Sequence, residues 1–198
     1  LDGIKVTYTP NENYNGEDTF TYKVNDGTED SNTATVTVTV NPVNDTPTVQ
    51  DIAISTDEDT ALEITLLGSD VDQDDLTYSL VTESSNGTVS LDGIKVTYTP
   101  NENYNGEDTF TYKVNDGTED STTATVTITV KSINDTPVSK DISVSTDEDN
   151  SVEVSLDASD LDQDTLTYSI VDDPVNGTVS LDGIKVTYTP NENYNGED

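Results

Sequence analysis

Cysteine, histidine, tryptophan and arginine are all missing from this chain of 198 residues. The lack of cysteine excludes disulfides and thiolate metal sites. With histidine gone as well, the usual nucleophile triads cannot be completed. Basic charge is scarce too: seven lysines face 41 aspartates and glutamates, for a formal net charge of −34. Such a surface cannot neutralise a phosphate backbone, which excludes nucleic acid as a partner and disfavours an anionic membrane. Aromatic side chains make up only 6%. No apolar run approaches the ~18 residues a spanning helix needs, so no membrane insertion is expected in this segment. No signal-peptide pattern is visible, and the sequence opens in mid-pattern with LDGIKVTYTP, as if cut from a longer polypeptide.

What the chain does have is repetition. LDGIKVTYTPNENYNGED begins at Leu1, Leu91 and Leu181, a period of 90 residues, and residues 1–30 and 91–120 are identical. NDTP, STDED and SD-x-DQD return in register within the more divergent part. A module copied this way supplies length or valency more readily than a unique active site. The period sets the expected limits: the C-terminal part of a first module over 1–45, a complete module over 46–135, and the N-terminal part of a third over 136–198.

Within one period the apolar residues alternate with a spacing of two. DIAIST, ALEITLL, LTYSLV, GTVSL, IKVTYT, TFTYKV and TATVTITV read as strands whose outward positions are mostly Thr, Ser or Lys. Asp92-Gly93, between GTVSL and IKVTYT, is a two-residue hairpin signal. Seven strands in about 90 residues predict an all-β fold, a seven-stranded antiparallel β-sandwich of immunoglobulin-like type repeated in a linear array. The strict alternation argues against disorder, the other reading of so acidic a chain.

The acids fall between these strands, with Glu63 alone well inside one. Adaptation to salt would spread acids over the strand faces, which carry Thr instead. Alternating strand directions put the STDED loop and the NENYNGED loop at one pole of a module. They put the SDVDQDD loop and the NDGTED loop at the other. Where one module follows the next, the acids converge. At the second junction these are Asp57, Glu58, Asp59, Glu107 and Asp108 upstream, Asn134 and Asp135 in the INDTP linker, and Asp160, Asp162 and Asp164 downstream. At the first they are Glu17 and Asp18, then Asn44 and Asp45, then Asp70, Asp72 and Asp74. Oxygen ligands of this density suit Ca2+, which takes six to eight of them. The plainer alternative is that Asp, Asn and Gly are turn residues in water, with no metal. DVDQDD is not an EF-hand start, because Asp75 and Val81 stand where that loop needs Gly and Glu.

Three motifs carry a family resemblance. ASDLDQDTLTYSI, from Ala158 to Ile170, resembles the cadherin D-x-D segment that leads into a Y-S-I strand. INDTP resembles the end of the cadherin linker D-x-N-D-N-x-P, and VNDG at 114–117 resembles the loop carrying the cadherin F–G aspartate. The whole sequence resembles the tandem cadherin-like repeats of large bacterial surface adhesins and matrix proteins. The resemblance implies Ca2+ at each junction and stiffening on binding. It implies metal ligation by Asp160 and Asp162, Asp70 and Asp72, Asn134 and Asp135, Asn44 and Asp45, Glu58, and Asp116. Pro42 and Ser132 replace the first linker aspartate, Thr46 and Thr136 replace the second linker asparagine, and GED stands in place of L-D-R-E. One or two ions per junction are expected, rather than three.

The function expected is that of a calcium-stiffened structural module in a long extracellular adhesin, stalk or filament on the cell surface. Its partners would be the neighbouring repeats of the same chain through calcium, with self-association into fibres or cell–cell contact beyond that. A second expectation is a polysaccharide-binding or homophilic cell-contact module. Tyr14 and Tyr104 would either offer a sugar platform or fold back as a tyrosine corner. Catalysis is not expected: paired carboxylates need a cleft and unlike environments, and here they recur on loops in every copy. Asn44, Asn86, Asn134 and Asn176 fit the N-glycosylation acceptor pattern, in keeping with an extracellular setting.

Overall fold

A computed structural model of the protein describes residues 4–198, and among these every regular element is a strand. In sequence order they are β1 (Gly16–Tyr22), β2 (Ala34–Val40), β3 (Thr48–Val49), β4 (Ile52–Asp57), β5 (Leu62–Thr65), β6 (Gly68–Ser69), β7 (Thr77–Thr82) and β8 (Gly87–Asp92). There follow β9 (Lys95–Pro100), β10 (Gly106–Asn115), β11 (Ala124–Lys131), β12 (Val138–Ser139), β13 (Val152–Ser155), β14 (Ala158–Ser159), β15 (Gly177–Asp182) and β16 (Lys185–Pro190). They fall into two compact units. One is built from the described residues up to Thr56, with Thr60–Pro100 and Glu107–Thr129; the other from Asp57–Asp59, Asn101–Gly106 and Val130–Asp198.

In the first unit, the seven expected strands of the middle repeat form two sheets, β4-β11-β10-β7 and β5-β9-β8, with a short β3-β6 pair beside them. Alternation places one face of each sheet inward. Ile64, Leu66, Val96 and Tyr98 come from the smaller sheet and the segment that follows β5. Phe110, Tyr112, Val114, Ala124, Val126, Ile128 and Val130 come from the larger; all eleven are buried. Buried aromatics need a partner for each hydroxyl. Tyr112 donates to the carbonyls of Gln50 (2.7 Å) and Leu67 (2.9 Å). Tyr98 donates to Asp108 (3.0 Å). Gly87 lets this ring lie flat on the β8 backbone, because a Cβ there would meet the Tyr98 ring at 2.5 Å.

The β8–β9 hairpin differs from the sequence expectation by one residue. Asp92 pairs with Lys95, so the two-residue loop is Gly93–Ile94, not Asp92–Gly93. Gly93 alone carries the positive φ of this loop, at 58°. The β-branched Ile94 is then free of the left-handed region it disfavours. The first repeat contributes β1 paired antiparallel with β2.

The second unit holds the three-stranded sheet β13-β16-β15 and the β12-β14 pair. The registers repeat those of the first unit: Val179 pairs with Tyr188 as Val89 pairs with Tyr98. Residues 142–147 and 166–170 share the alternation of β4 and β7 but form no strand. Among the described residues no counterpart of β10 and β11 pairs with them. Ile142 and Val144 stay exposed as a result.

Candidate acidic cation site

In the second unit the site grows from three segments. The turn after β4 has Asp59 in the left-handed region, φ 56°, and the Asp59 carboxylate accepts the Asn103 N–H at 2.9 Å. This turn holds Glu58, whose N–H donates to the Lys131 carbonyl at 2.8 Å. Its carboxylate accepts the Ile133 N–H at 2.5 Å. Glu58 is only 5% exposed. The linker follows: the Asp135 N–H donates to Asp162 Oδ2 at 2.6 Å, and Ser132 Oγ donates to Asp162 Oδ1 at 3.1 Å. The Asn134 carboxamide donates to the Asp135 carbonyl at 2.7 Å. The third segment is the D-x-D loop. Gln163 at φ 62° turns the backbone so that Asp160 accepts the Asp164 N–H at 3.1 Å.

These ties bring carboxylate oxygens of Glu58, Asp135 and Asp162 within 4.8 Å of one another, and likewise those of Asp160, Asp162 and Asp164. Asp162 belongs to both groups. Loss of water contact pushes the Asp135 pKa up, and repulsion from Asp162, Glu58, Asp59 and Asp160 pushes it further. Among the described residues the lysine ion pairs lie elsewhere: Lys23–Asp30, Lys95–Glu63, Lys113–Asp120, Lys140–Asp157 and Lys185–Glu153.

The first unit repeats the pattern. Asp70, Asp72 and Asp74 form the same three-carboxylate group. The Asp45 N–H donates to Asp72 at 2.7 Å, and Gln73 has φ 66°. Asn44 donates to Asp116 at 2.9 Å, and Thr46 donates to Glu119 at 2.7 Å. The Asp116 carboxyl is held below its usual range by N–H donors from Glu119 and Thr118 and by Asn44. Desolvation, with repulsion from Asp70, Asp72, Asp116 and Asp75, raises that of Asp74. Asp70 Oδ2 is buried and is left without a hydrogen-bond partner. Among the described residues, Asp45 joins no three-acid group of its own.

Of the acids picked out from the sequence, Asp45, Asp59 and Asp116 flank these groups without joining one, and five more stand apart. Asp108 lies within β10 and turns inward, where it accepts Tyr98 Oη and the N–H groups of Ser85, Asn86 and Thr109. Its counterpart Asp18 takes Tyr8 Oη at 3.0 Å and the Thr19 N–H at 2.8 Å. Glu17 and Glu107 are exposed strand residues, and Asp57 is the exposed last residue of β4. The physical reason is the start of β10 at Gly106, which extends the ladder into the NENYNGED segment and commits its acids to strand positions. From that segment, Asn105 faces the second acidic cavity beside Ser132, Asn134, Asp162 and Asp164. Asn15 likewise lines the first, with Asp45 and Asp72. The sequence reading missed both; their recurrence one period apart, each followed by Gly, was the available signal. Tyr14 folds back, its hydroxyl donating to the Glu17 carbonyl at 2.6 Å, and Tyr194 does the same to Glu197 at 2.6 Å. This is the tyrosine-corner outcome.

A family model described as "Bacterial Ig domain" matches residues 1–39, 44–129 and 134–198. Among characterised proteins, Integrin beta-like protein B of Dictyostelium discoideum is 32% identical over 133 residues, covering 59% of this chain and 7% of that protein. Among solved structures, protocadherin gamma B2 extracellular cadherin domains 3–6 match with 16% identity and a TM-score of 0.45, over 74% of this chain and 38% of that one. An endo-fucoidan hydrolase of glycoside hydrolase family 107 matches with 18% identity and a TM-score of 0.41, over 90% and 30%. Domains 4–9 of the surface layer protein SbsC match with 18% identity and a TM-score of 0.31, over 89% and 31%.

Proposed function

Because the chain belongs to the bacterial Ig domain family, we propose that it is a stretch of structural repeats from a long extracellular adhesin, stalk or filament, whose junctions are tied by Ca2+. The observation that carries this reading is the buried Glu58 carboxylate beside Asp135 and Asp162, oxygens within 4.8 Å, with no ion-paired lysine. A buried charge without a counter-charge is costly. The donors are all hard oxygens, which fits calcium better than a softer metal. The orphaned Asp70 Oδ2 supports the same reading at the first junction. Glu58, Asp135, Asp160, Asp162 and Asp164 would hold the ion at the second junction, and Asp70, Asp72 and Asp74 at the first. The ion supplies the positive charge that lets these acids lie together.

Without calcium each junction is an acidic hinge; with it, the turn after β4, the linker and the D-x-D loop are fixed to one another. Module limits at 1–45, 46–135 and 136–198 place one linker at each junction. No catalytic step is part of this role. The sugar-binding alternative has less support at Tyr14, whose hydroxyl is committed to the Glu17 carbonyl. The test is small-angle scattering and calorimetry on the 198-residue protein. Calcium at millimolar concentration extends the scattering profile relative to EDTA and gives a measurable binding stoichiometry. Identical profiles in the two conditions, with no heat of binding, refute the proposal.

A further inference from the structure

Five asparagines in this protein are followed directly by glycine: Asn15, Asn86, Asn105, Asn176 and Asn195. The pair has its own chemistry. Glycine has no Cβ to block its backbone nitrogen from the preceding carboxamide. That nitrogen attacks the asparagine Cγ and closes a succinimide. The Cγ–Nδ2 bond of the carboxamide breaks, and ammonia leaves with the proton lost from the glycine nitrogen. Water then opens the ring at either carbonyl, giving aspartate or isoaspartate.

The structure sorts four of these pairs, those at Asn15, Asn86, Asn105 and Asn176, into two classes. Asn86 is held, its N–H donating to Asp108 at 3.0 Å, and Gly87 is locked against the Tyr98 ring and paired with Pro100. Asn176 is held by Asp198 through its backbone N–H at 2.9 Å and its carboxamide at 3.4 Å, while its carbonyl accepts the Asn191 N–H at 2.8 Å. Asn15 and Asn105 are different. Both are exposed, and among the described residues no hydrogen bond holds either carboxamide. The glycines that follow have φ of 126° and 134°. Rotation to bring Cγ over the glycine nitrogen breaks no hydrogen bond of either carboxamide, although Gly16 and Gly106 open strands and Gly16 pairs with Val40.

Their position gives the reaction a consequence. Asn105 lines the cavity of Asp162 and Asp164, and Asn15 lines that of Asp45 and Asp72. We propose that Asn15 and Asn105 deamidate spontaneously in the folded protein, and that the aspartate formed adds a carboxylate to the cation site. The chemical step stands by itself; its effect on binding rests on the calcium reading above. Cation affinity at a junction then rises as the protein ages.

The test has two arms. Folded protein is incubated at neutral pH and digested after lysine, and the peptides are read for the amide-to-acid mass gain and for isoaspartate. Peptides 6–23 and 96–113 are identical, so an Asn15→Gln variant leaves Asn105 as the reporter. Asn105 is expected to convert about tenfold or more faster than Asn86 and Asn176, which must open locally first. In denaturant all five are expected to convert alike. Equal rates at Asn86 and Asn105 in the folded protein, or no conversion at Asn105, overturn the proposal. In the second arm, Asn105→Asp is expected to bind calcium on the order of tenfold more tightly than the unmodified protein. Unchanged affinity, where the unmodified protein binds calcium, overturns the consequence alone. Absence of calcium binding in both proteins is the failure of the calcium reading instead.

Discussion

Asp162→Asn is expected to stabilise the protein without calcium and to lose that advantage with it. In EDTA the Asp162 charge works against folding. Its carboxylate oxygen lies within 4.8 Å of one on Glu58, which is buried. At that separation two unit charges repel by about 0.9 kcal/mol in water and about 3.5 kcal/mol at a protein surface. Asp162 is half-buried, so the lower part of that range applies. Asparagine removes the charge and keeps one acceptor oxygen for the Asp135 N–H; its NH2 group then stands where Asp162 Oδ1 met Ser132 Oγ, a hydroxyl that can turn to accept. A gain of about 1 kcal/mol corresponds to a melting temperature roughly 4–8 °C higher for a domain of this size.

With calcium the same substitution removes a ligand that both acidic groups share. An extracellular module with Kd of about 0.1–1 mM gains roughly 1.4–2.7 kcal/mol from about 10 mM ion. A tenfold weaker site forfeits about 1.0–1.3 kcal/mol of this. The variant is therefore expected to melt above the parent protein in EDTA and level with it or below it in calcium. The assay is thermal unfolding of both proteins in both conditions, followed by circular dichroism. A shift of the same sign and size in the two conditions would refute the reasoning and leave Asp162 as a simple acceptor for the linker.

Three other outcomes separate structural acids from ligating ones. Asp108→Ala strands Tyr98 Oη and three N–H donors and is expected to cost about 2–4 kcal/mol in urea unfolding, with calcium affinity unchanged; a calcium-dependent effect would return Asp108 to the site. Gly87→Ala places a methyl 2.5 Å from the Tyr98 ring and 2.6 Å from the Thr99 carbonyl, and a loss of about 1–3 kcal/mol is expected; a neutral urea midpoint contradicts the close approach. The raised Asp135 pKa makes the folded state hold its proton more tightly than the unfolded state does. Its contribution is nil below the ordinary value of 3.8 and becomes destabilising as pH rises above it. In EDTA, Asp135→Asn is thus expected to gain on the parent protein as pH rises from about 4 to 7, and a pH-independent difference between the two contradicts this.

The strands were legible because their signal is local: alternation with period two marks β4, β5 and β7 to β11 within two or three residues of where they lie. Burial was not local, and the repeat itself demonstrates it. Phe20, Tyr22 and Val24 stand in the same sequence as Phe110, Tyr112 and Val114. Yet Tyr22 is 51% exposed and Val24 62%, while all three counterparts are fully buried. The difference is the company: β10 lies between β11 and β7, whereas among the described residues β1 has β2 alone as a neighbour. A hydrophobic face is therefore a property of the assembled repeat, not of the segment that carries it.

The same argument explains which site residues could be read. Asp72, Asp135 and Asp162 sit in loops and a linker, where motif and position coincide. Asp108 sits one residue past Glu107, and nothing in the sequence ED says which faces inward. The ladder decides, and it gives Asp108 four donors. Asp162 receives two donors and is crowded by four carboxylates, those of Glu58, Asp135, Asp160 and Asp164. A carboxylate saturated by donors has no lone pairs to offer a cation, while one short of donors and pressed by like charge has both the vacancy and the reason to bind one. Counting donors against neighbouring charges divides the acids of this protein where counting acids does not.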